Sequence, residues 1–378
     1  MTNNTELSPK KKLGFIGARG MVGRVLLERM REEDDFRFFE TFFFSTSQVG
    51  QAAPPESHDQ KLRDAHSLDE LSEMDVIVTC QGGDYTLALH PSLRAHGWKG
   101  VWVDAASALR MNKDSCLVLD PLNKDLIKES LEKGVVDYVG SNCTVSLMLL
   151  ALAGPLKAGV IEWVNSHTYQ AASGGGAAHM RELLKGMGFL YERHKDLIDD
   201  ERGDILKLDQ LISKDLRENN DFPSEKFGAP LAANLLPWID SAVNDGQTRE
   251  EWKAMVEANK ILGLNNTLGV DGTCVRVGAL RSHSQALTIK LKKPMGAEEF
   301  SALLKDSHEW LEFVENNKEE TLRELTPAAA SGTLRIKVGR VRALKMAPDF
   351  MNVFTVGDQL LWGAAEPLRR FLRQYVNH

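Results

Sequence analysis

The stretch KLGFIGARGMVGRVLLERM, residues 12–30, decides the fold class. Its apolar start predicts a strand, and Gly17, Gly20 and Gly23 follow at G-x-x-G-x-x-G spacing before a helical stripe of apolar residues. Strand, glycine turn and helix in this order let a backbone approach a pyrophosphate, with free N–H groups at the helix start. The pattern predicts a dinucleotide site, and a turn needed only for packing is the alternative.

Strand-like and helix-like patterns alternate over the first 140 residues of the chain. This alternation predicts parallel strands joined by crossover helices, and so a doubly wound α/β sheet in a Rossmann-like nucleotide-binding domain. The predicted strands are residues 12–17, 37–44, 75–80, 100–105, 116–120 and 136–140.

Beyond about Cys143 the pattern changes. Residues 177–194 have the spacing of a long amphipathic helix, and residues 272–293 alternate with a period of two. We therefore expect a second, α+β domain with an antiparallel or mixed sheet. Residues 355–375 are predicted to be helical, with a new helix starting at Pro367.

The composition indicates a soluble globular protein of two domains. The chain has 378 residues, of which 43% are apolar and 26% charged, and its net charge is −7. This charge argues against a general affinity for nucleic acid or an anionic membrane. The apolar run 145–154 is too short to span a bilayer, and residues 1–11 are interpreted as a disordered leader without a signal core.

Four cysteines are spread along the chain, and none of them forms a CxxC pair. A disulfide framework or a metal site is therefore not expected, and reduced thiols agree with a cytoplasmic location. The cysteines are Cys80, Cys116, Cys143 and Cys274. All but Cys143 lie in apolar strand-like segments and are interpreted as structural.

Cys143 lies where a short strand gives way to an apolar, helix-like run. At a helix start the thiol would face unpaired N–H groups, which lower a thiol pKa from about 8.5 toward neutrality. Asn142 and the first amides of the helix would then hold an oxyanion. A proton carrier is also needed, and His283 shares the inward face of its strand with Leu287 and Ile289. A core cysteine and a core histidine remain the alternatives.

Polar residues near the two glycine-rich turns favour one cofactor. The second predicted strand ends in Ser45 and Thr46, and Arg19 lies in the first turn. Hydroxyls and a guanidinium suit the 2′-phosphate of NADP, whereas NAD sites usually have an acidic residue there. A serine-rich turn that caps the next helix is the alternative. The second turn, residues 173–176, is expected beside the nicotinamide, with a flexible hinge as its alternative.

Three cations have the chemistry that an anionic substrate needs. Arg276 lies on the strand face of Cys274, Arg110 follows a predicted strand, and Lys253 lies one helical turn from Glu250. Arginines suit the forked geometry of carboxylate and phosphate, and lysine supplies a point charge. Each of them taken singly is more often a solvated surface charge.

Eight segments together resemble the aspartate-β-semialdehyde dehydrogenases of Gram-negative bacteria, in one order from about residue 12 to the C-terminus. The segments are GFIGARGMVG, TCQGGDYT, VDAASALRM, GSNCTVSLML, TYQAASGGGAAHMREL, REEWK, VRVGALRSHSQA and FTVGDQLLWGAAEPLRR. The resemblance implies reversible, phosphate-dependent, NADP-linked oxidation of L-aspartate 4-semialdehyde to L-4-aspartyl phosphate. In cells the family works reductively, toward lysine, methionine and threonine.

The resemblance also implies roles for individual residues. Cys143 would be the nucleophile, His283 the general acid/base, and Gln170 would orient the substrate and the thioester. Arg276 would bind the substrate carboxylate, and Glu250 would lie near the amino group. The residues implied for phosphate are Arg110 and Lys253. The residues expected at the cofactor, from the glycine turns and the resemblance together, are Gly17, Arg19, Gly20, Met21, Val22, Gly23, Ser45, Thr46, Gln81, Ser173, Gly174, Gly175, Gly176, Ala177 and Gln359.

The family fold implies a domain division. Residues 12–142 and 359–378 would form the NADP-binding domain, and residues 143–358 the catalytic and dimerisation domain of a homodimer. Two alternatives to this function stay open. One is a reductase of the N-acetyl-glutamyl-phosphate or glyceraldehyde-phosphate type, which uses the same thiol chemistry, and the other is a catalytically silent NADP-binding regulator.

Overall fold

The computed structural model describes residues 10–378. The leader predicted for residues 1–11 therefore lies outside the described residues except for its last two, of which Lys11 begins a strand. The described chain forms two seven-stranded sheets with helices packed against them. None of the helices within residues 10–378 combines the length and the apolar character that crossing a bilayer requires.

The first sheet is built from the first seven strands of the chain. They are β1 Lys11–Ile16, β2 Phe39–Ser45, β3 Arg63–Asp64, β4 Val76–Thr79, β5 Val101–Asp104, β6 Ser115–Val118 and β7 Asp137–Gly140. Their order is β3-β2-β1-β4-β5-β7-β6, and every neighbouring pair is parallel. The predicted doubly wound α/β sheet is confirmed. The edge strand β3 was missed because two residues are too few to show the alternation of apolar and polar residues typical of a strand.

Helices connect these strands on both faces of the sheet. They are α1 Met21–Glu32, α2 Leu68–Ser72, α3 Gly83–Ala95 and α4 Asp120–Glu132, with a 3₁₀ turn at Asp35–Phe38. Helix α1 begins directly after the glycine turn, and its residues Leu26, Leu27 and Met30 are buried against the sheet. The predicted order of strand, glycine turn and helix is confirmed.

The second sheet is mixed, as expected for an α+β domain. Its strands are β8 Ile161–Gln170, β9 Gly269–Asp271, β10 Cys274–Arg276, β11 Ser282–Leu291, β12 Leu311–Phe313, β13 Ile336–Leu344 and β14 Ala347–Asp358. The order is β10-β8-β11-β14-β13-β12, and β9 also pairs with β8. The long central strands are antiparallel, and the short strands β9, β10 and β12 pair in parallel.

The remaining helices surround this second sheet or link it to the first. They are α5 Cys143–Ala151, α6 Ala153–Lys157, α7 Ala177–Ile198, α8 Ile205–Glu218, α9 Arg249–Ile261, α10 Ala297–Lys305, α11 Lys318–Glu324, α12 Pro327–Ala330 and α13 Glu366–Val376. Helix α7 covers the amphipathic pattern predicted for residues 177–194. The domain boundary predicted at residues 142 and 143 stays a prediction.

The C-terminal segment corrects one expectation. Residues 355–358 belong to β14 and pair with the start of β11, so the predicted helix over residues 355–375 was wrong for its first turn. A π-helical turn, Leu361–Ala365, follows, and Pro367 lies in the first turn of α13, as predicted. Helix α13 packs against the first sheet, where the Phe371 ring stacks on Tyr138 with the centroids 4.1 Å apart.

Helix α5 lies between the two sheets. Its residues from Thr144 to Ala151 are all buried, and one apolar cluster joins Leu147 of α5 to Trp102 of the first sheet and Leu287 of the second. A helix that is apolar on every side has to be enclosed. The start of α5 is therefore fixed at the junction of the sheets, which is where Cys143 lies.

We expect Gly23→Ala to destabilise the protein. A Cβ at residue 23 would lie 2.1 Å from the carbonyl oxygen of Gly17, so the turn before α1 has to open. The expected loss is about 1–3 kcal/mol in the free energy of unfolding, measured by denaturant titration. Gly83→Ala is the control, because Gly83 also begins a helix and its added Cβ would come no closer than 3.9 Å to Ala108. Equal losses in both variants would contradict the prediction.

Candidate active site

The candidate nucleophile, Cys143, is the first residue of α5 and follows the N-cap residue Asn142. Its Sγ lies 3.4 Å from Nε2 of His283. Gly363 of the π-helical turn packs on the same residue, since an added Cβ there would come within 2.7 Å of Cβ of Cys143. The structure thus brings the predicted thiol and imidazole together at the junction of the sheets.

His283 is fully buried at the start of β11, on the inward face with Leu287 and Ile289. Its Nδ1 accepts a hydrogen bond from the backbone N–H of Ala171 at 3.0 Å. The neutral imidazole therefore carries its proton on Nε2, the nitrogen that faces Cys143. The ring orientation is set by a backbone group, which no sequence pattern indicated.

The electrostatics of this pair differ from the sequence-based expectation. Burial raises the pKa of the Cys143 thiol to about 12, the carboxylate of Glu250 acts in the same direction, and three nearby cations oppose it only in part. Burial, together with the charge of Arg276, lowers the pKa of His283 to about 3. At neutral pH the pair is therefore a neutral thiol beside a neutral imidazole. The lowered thiol pKa expected at a helix start is contradicted, because burial and the carboxylate of Glu250 raise this pKa.

Asn142 is committed to interactions within the protein. Its Oδ1 accepts the N–H groups of Thr144 at 2.9 Å and Val145 at 3.3 Å. Its Nδ2 donates to Oε1 of Glu250 at 2.9 Å, and its own N–H donates to Oε2 of Glu257 at 2.6 Å. The oxyanion role expected of Asn142 and the first amides of the helix stays a prediction. Asn142 caps α5 and so positions the cysteine that follows it.

A hydrogen-bonded chain joins three of the predicted polar residues. Gln170 at the end of β8 donates from Nε2 to Oε1 of Glu250 at 3.2 Å. Lys253 donates from Nζ to Oε2 of Glu250 at 3.1 Å and to Oδ2 of Asp240 at 2.8 Å. Asp240 was missed by sequence reasoning because it lies in a loop without a recognisable pattern. The chain of contacts fixes a carboxylate and an ammonium beside the thiol.

The two arginines have different partners. Arg110 donates from Nε to the carbonyl oxygen of Gly140 at 2.7 Å and from Nη1 to Oε1 of Glu257 at 3.2 Å. Arg276 donates from Nη1 to the carbonyl oxygen of Ala171 at 2.7 Å. Among residues 10–378 no carboxylate pairs with Arg276, although the guanidinium is mostly buried. Both arginines lie within electrostatic reach of the thiol, whose pKa they lower.

The residues expected at the cofactor fit a dinucleotide. Gly17 and Gly20 form the turn, and Gly23 lies in the first turn of α1. No side chain caps the start of α1, which leaves its first N–H groups for a pyrophosphate. Arg19 is held beside the end of β2 by hydrogen bonds to the side chains of Gln48 and Gln51.

Two further contacts extend this cleft toward the thiol. Gln81 donates to Oγ1 of Thr46 at 3.1 Å, and Gln359 donates to Oγ of Ser173 at 2.8 Å. A Cβ at Gly174 would lie 3.2 Å from Cε1 of His283, so the second glycine turn lies directly against the imidazole. The rest of that turn leads into α7 and comprises Gly175, Gly176 and Ala177.

Two family models match the chain. The semialdehyde dehydrogenase, NAD binding domain, matches residues 12–130, and the semialdehyde dehydrogenase, dimerisation domain, matches residues 152–362. The chain belongs to the semialdehyde dehydrogenase family. The family suggested by the eight sequence segments is confirmed.

Solved structures of similar chains agree with this family. The aspartate semialdehyde dehydrogenase of Francisella tularensis is 52% identical over 97% of this chain and 99% of its own, with a TM-score of 0.93. Aspartate semialdehyde dehydrogenase II of Vibrio cholerae, complexed with ASA, is 25% identical over 98% of this chain and 99% of its own, with a TM-score of 0.79. An aspartate semialdehyde dehydrogenase from Candida albicans with NADP is 17% identical over 97% of this chain and 99% of its own, with a TM-score of 0.65. This is a likeness of fold alone.

Helix α9 carries two charged residues of the site that sequence reasoning missed. Glu257 and Lys260 continue the spacing of Glu250 and Lys253, so the four side chains lie on one face of the helix. That spacing was the available signal. It was ambiguous because a solvated helix face shows the same pattern.

We expect the ligand-free thiol to react slowly and with a steep pH dependence. Because the pKa of Cys143 is about 12, only a very small fraction of it is thiolate at neutral pH. The rate of alkylation by iodoacetamide should rise about tenfold per pH unit between about pH 7 and about pH 9. The Cys143→Ala variant gives the background from the other cysteines. A rate that reaches a plateau below about pH 8 would contradict the raised pKa.

Proposed function

We propose that this chain is a phosphorylating aspartate semialdehyde dehydrogenase. It converts L-aspartate 4-semialdehyde, phosphate and NADP reversibly into L-4-aspartyl phosphate, NADPH and a proton. The observation that carries this proposal is the thiol of Cys143 at the start of α5, 3.4 Å from the imidazole of His283 and surrounded by cations. In the cell we place the enzyme in the cytoplasm, in the biosynthesis of lysine, methionine and threonine, where it runs in the reductive direction.

The proposed chemistry uses the sulfur as a temporary acyl carrier. Sγ of Cys143 bonds to the aldehyde carbon as the thiol loses its proton and the aldehyde oxygen gains one, which gives a thiohemiacetal. The thiohemiacetal becomes a thioester when its carbon loses a hydride and its hydroxyl loses a proton. NADP, when bound, supplies the hydride acceptor. A phosphate oxygen then bonds to the thioester carbon, the C–S bond breaks, and the acyl phosphate leaves. The thioester retains the energy of oxidation that hydrolysis would dissipate, so the buried site has to keep water out.

His283 is the proposed acid/base group, and it acts through Nε2. That nitrogen faces Sγ and, in the tautomer fixed by Ala171, carries the proton. It is therefore placed to donate to the oxygen that becomes negative when sulfur adds to the carbonyl carbon. Gln170, which is anchored on Glu250, would orient the substrate beside this pair.

The charges of the site support the proposed recognition of the substrates. Arg276 would bind the substrate carboxylate, since no carboxylate among the described residues pairs with it. Glu250 would attract the amino group. Arg110 and Lys253 would hold phosphate, and both lower the pKa of the Cys143 thiol, which shows that their charges reach the reacting sulfur.

NADP is the proposed cofactor. The glycine turn before α1 would hold the pyrophosphate, and Arg19 with Ser45 and Thr46 would hold the 2′-phosphate. Ser45 accepts the N–H of Gln48 at 3.1 Å, which fixes the turn that presents these hydroxyls.

The purified protein should form NADPH only when aspartate semialdehyde, NADP and phosphate are all present. We expect Cys143→Ala to lower kcat by at least about 10⁴-fold, because the covalent carrier is lost. The assay follows NADPH absorbance, and NADP binding measured by fluorescence should persist in the variant. N-acetyl-glutamate semialdehyde serves as the competing substrate, with an expected kcat/KM at least about 100-fold lower. Phosphate-independent NADPH formation, or a preference for the competing substrate, would contradict the proposal.

We also propose that two copies of the chain pair through the outer face of α7. Leu184, Met187 and Tyr191 lie on one face of this helix and are 41–50% exposed in the single chain. Residues 152–362 match a dimerisation domain, which makes a second copy the occupant that fits this apolar face.

The double variant Leu184→Glu, Tyr191→Glu should be monomeric, because two buried, unpaired carboxylates would oppose association. Its mass in solution, measured by light scattering after gel filtration, should be half that of the unmodified protein. Leu87→Glu is the control, since Leu87 is 62% exposed on α3, outside the dimerisation match. A double variant that stays dimeric would show that the interface lies elsewhere.

A further inference from the structure

Glu257 is a buried carboxylate that the proposed chemistry does not use. It is only 1% exposed, on the turn of α9 that follows Lys253. One oxygen accepts from Nη1 of Arg110 at 3.2 Å, and the other accepts the backbone N–H of Asn142 at 2.6 Å. A buried charge is retained only when it is paired and hydrogen-bonded, and these two donors meet that condition.

The two donors come from different loops of the first sheet. Arg110 follows β5, and Asn142 follows β7 and precedes the nucleophile. Glu257 therefore connects the cation expected at phosphate with the backbone that carries Cys143. Nε of Arg110 is fixed by Gly140, so the bond to Glu257 is the second contact that defines the plane of the guanidinium.

Lys260 holds the same loop through its backbone. Its Nζ donates to the carbonyl oxygens of Arg110 and Asn112, both at 2.6 Å, and to Oγ of Ser115 at 2.9 Å. All three N–H groups of the ammonium are thus used on the loop that follows β5. Helix α9 fixes both the main chain and the side chain at residue 110.

We propose that Glu257 is a positioning residue, which aligns the guanidinium of Arg110 for phosphate and couples it to the start of α5. This inference rests on the proposed function, in which Arg110 holds phosphate. Two effects of removing Glu257 can be told apart. If Glu257 mattered only as a negative charge, its loss would strengthen the binding of an anion. If it aligns the guanidinium, its loss weakens the binding of phosphate.

The test is Glu257→Gln in the full-length enzyme, with inorganic phosphate as the varied substrate. The amide keeps the shape of the side chain, but its NH₂ group has to face one of the two donors, so one hydrogen bond is lost. We expect KM for phosphate to rise about tenfold, while KM for aspartate semialdehyde changes less than about twofold. An unchanged or lower KM for phosphate would overturn the proposal.

Glu251→Gln is the matched control. Glu251 is also buried on α9, and it accepts the backbone N–H groups of Thr248 at 2.8 Å and Cys274 at 3.0 Å without touching Arg110. We expect its KM for phosphate to stay within about twofold of the unmodified enzyme. An equal rise in both variants would mean that any buried glutamate of α9 has this effect, which would overturn the assignment.

A double-mutant cycle with Arg110→Ala separates alignment from general damage. If Glu257 acts through Arg110, adding Glu257→Gln to Arg110→Ala changes KM for phosphate less than about twofold. Additive effects of the two substitutions would overturn the proposal.

Should Glu257→Gln fail to fold, Lys260→Met tests the proposal instead, because Lys260 holds the same loop from a less buried position. The KM of a folded Lys260→Met variant for phosphate should also rise, and an unchanged KM would overturn the proposal.

The outcome is distinguishable from failure of the proposed function. If the unmodified enzyme forms no NADPH in a phosphate-dependent way, the proposed function fails before any variant is compared. If it does so and Glu257→Gln behaves as the unmodified enzyme, only the positioning role fails.

Discussion

Helix α5 is apolar on every side, and both sheets pack against it. This burial is the constraint on which the site depends, because it fixes the start of the helix, with its unpaired N–H groups, at the junction of the two sheets. Asn142 satisfies the first amides, and its own N–H is held by Glu257. Cys143 therefore has little freedom, and its sulfur faces His283 across the junction of the sheets. A rigid core, not a flexible loop, positions the reacting atom.

The fold could be predicted where the sequence shows a regular spacing of apolar residues or a glycine turn. The parallel sheet was predicted from the alternation of strand-like and helix-like patterns over the first 140 residues. Helix α1 was predicted from residues 12–30, where a strand, a glycine turn and a helix follow one another. The strand β14 was missed, and its residues 355–358 were assigned to the following helix. Their pairing with β11 depends on residues 70 to 76 positions away. Long-range pairing of this kind leaves no local pattern for a periodicity argument to detect.

The sequence predicted several residues of the candidate site, but not their protonation states. Cys143 and His283 could be named because a poised thiol needs a proton carrier, and the resemblance added the cations. The protonation state could not be derived, because burial raises the thiol pKa and only the packed structure shows that burial. Glu257 was missed for the same reason: its partners, Arg110 and Asn142, lie more than 100 residues earlier in the chain.

The two arginines of the site suit different anions because their charges are balanced differently. Arg276 is mostly buried, pairs with no carboxylate within residues 10–378, and has its pKa lowered by burial. A buried cation without a directly paired carboxylate is costly, and under the proposed role of Arg276 a substrate carboxylate would supply that partner. Arg110 is already paired with Glu257. Under the proposed role of Arg110, phosphate would gain less from net charge and more from directed hydrogen bonds, so its affinity would depend on the alignment of the guanidinium.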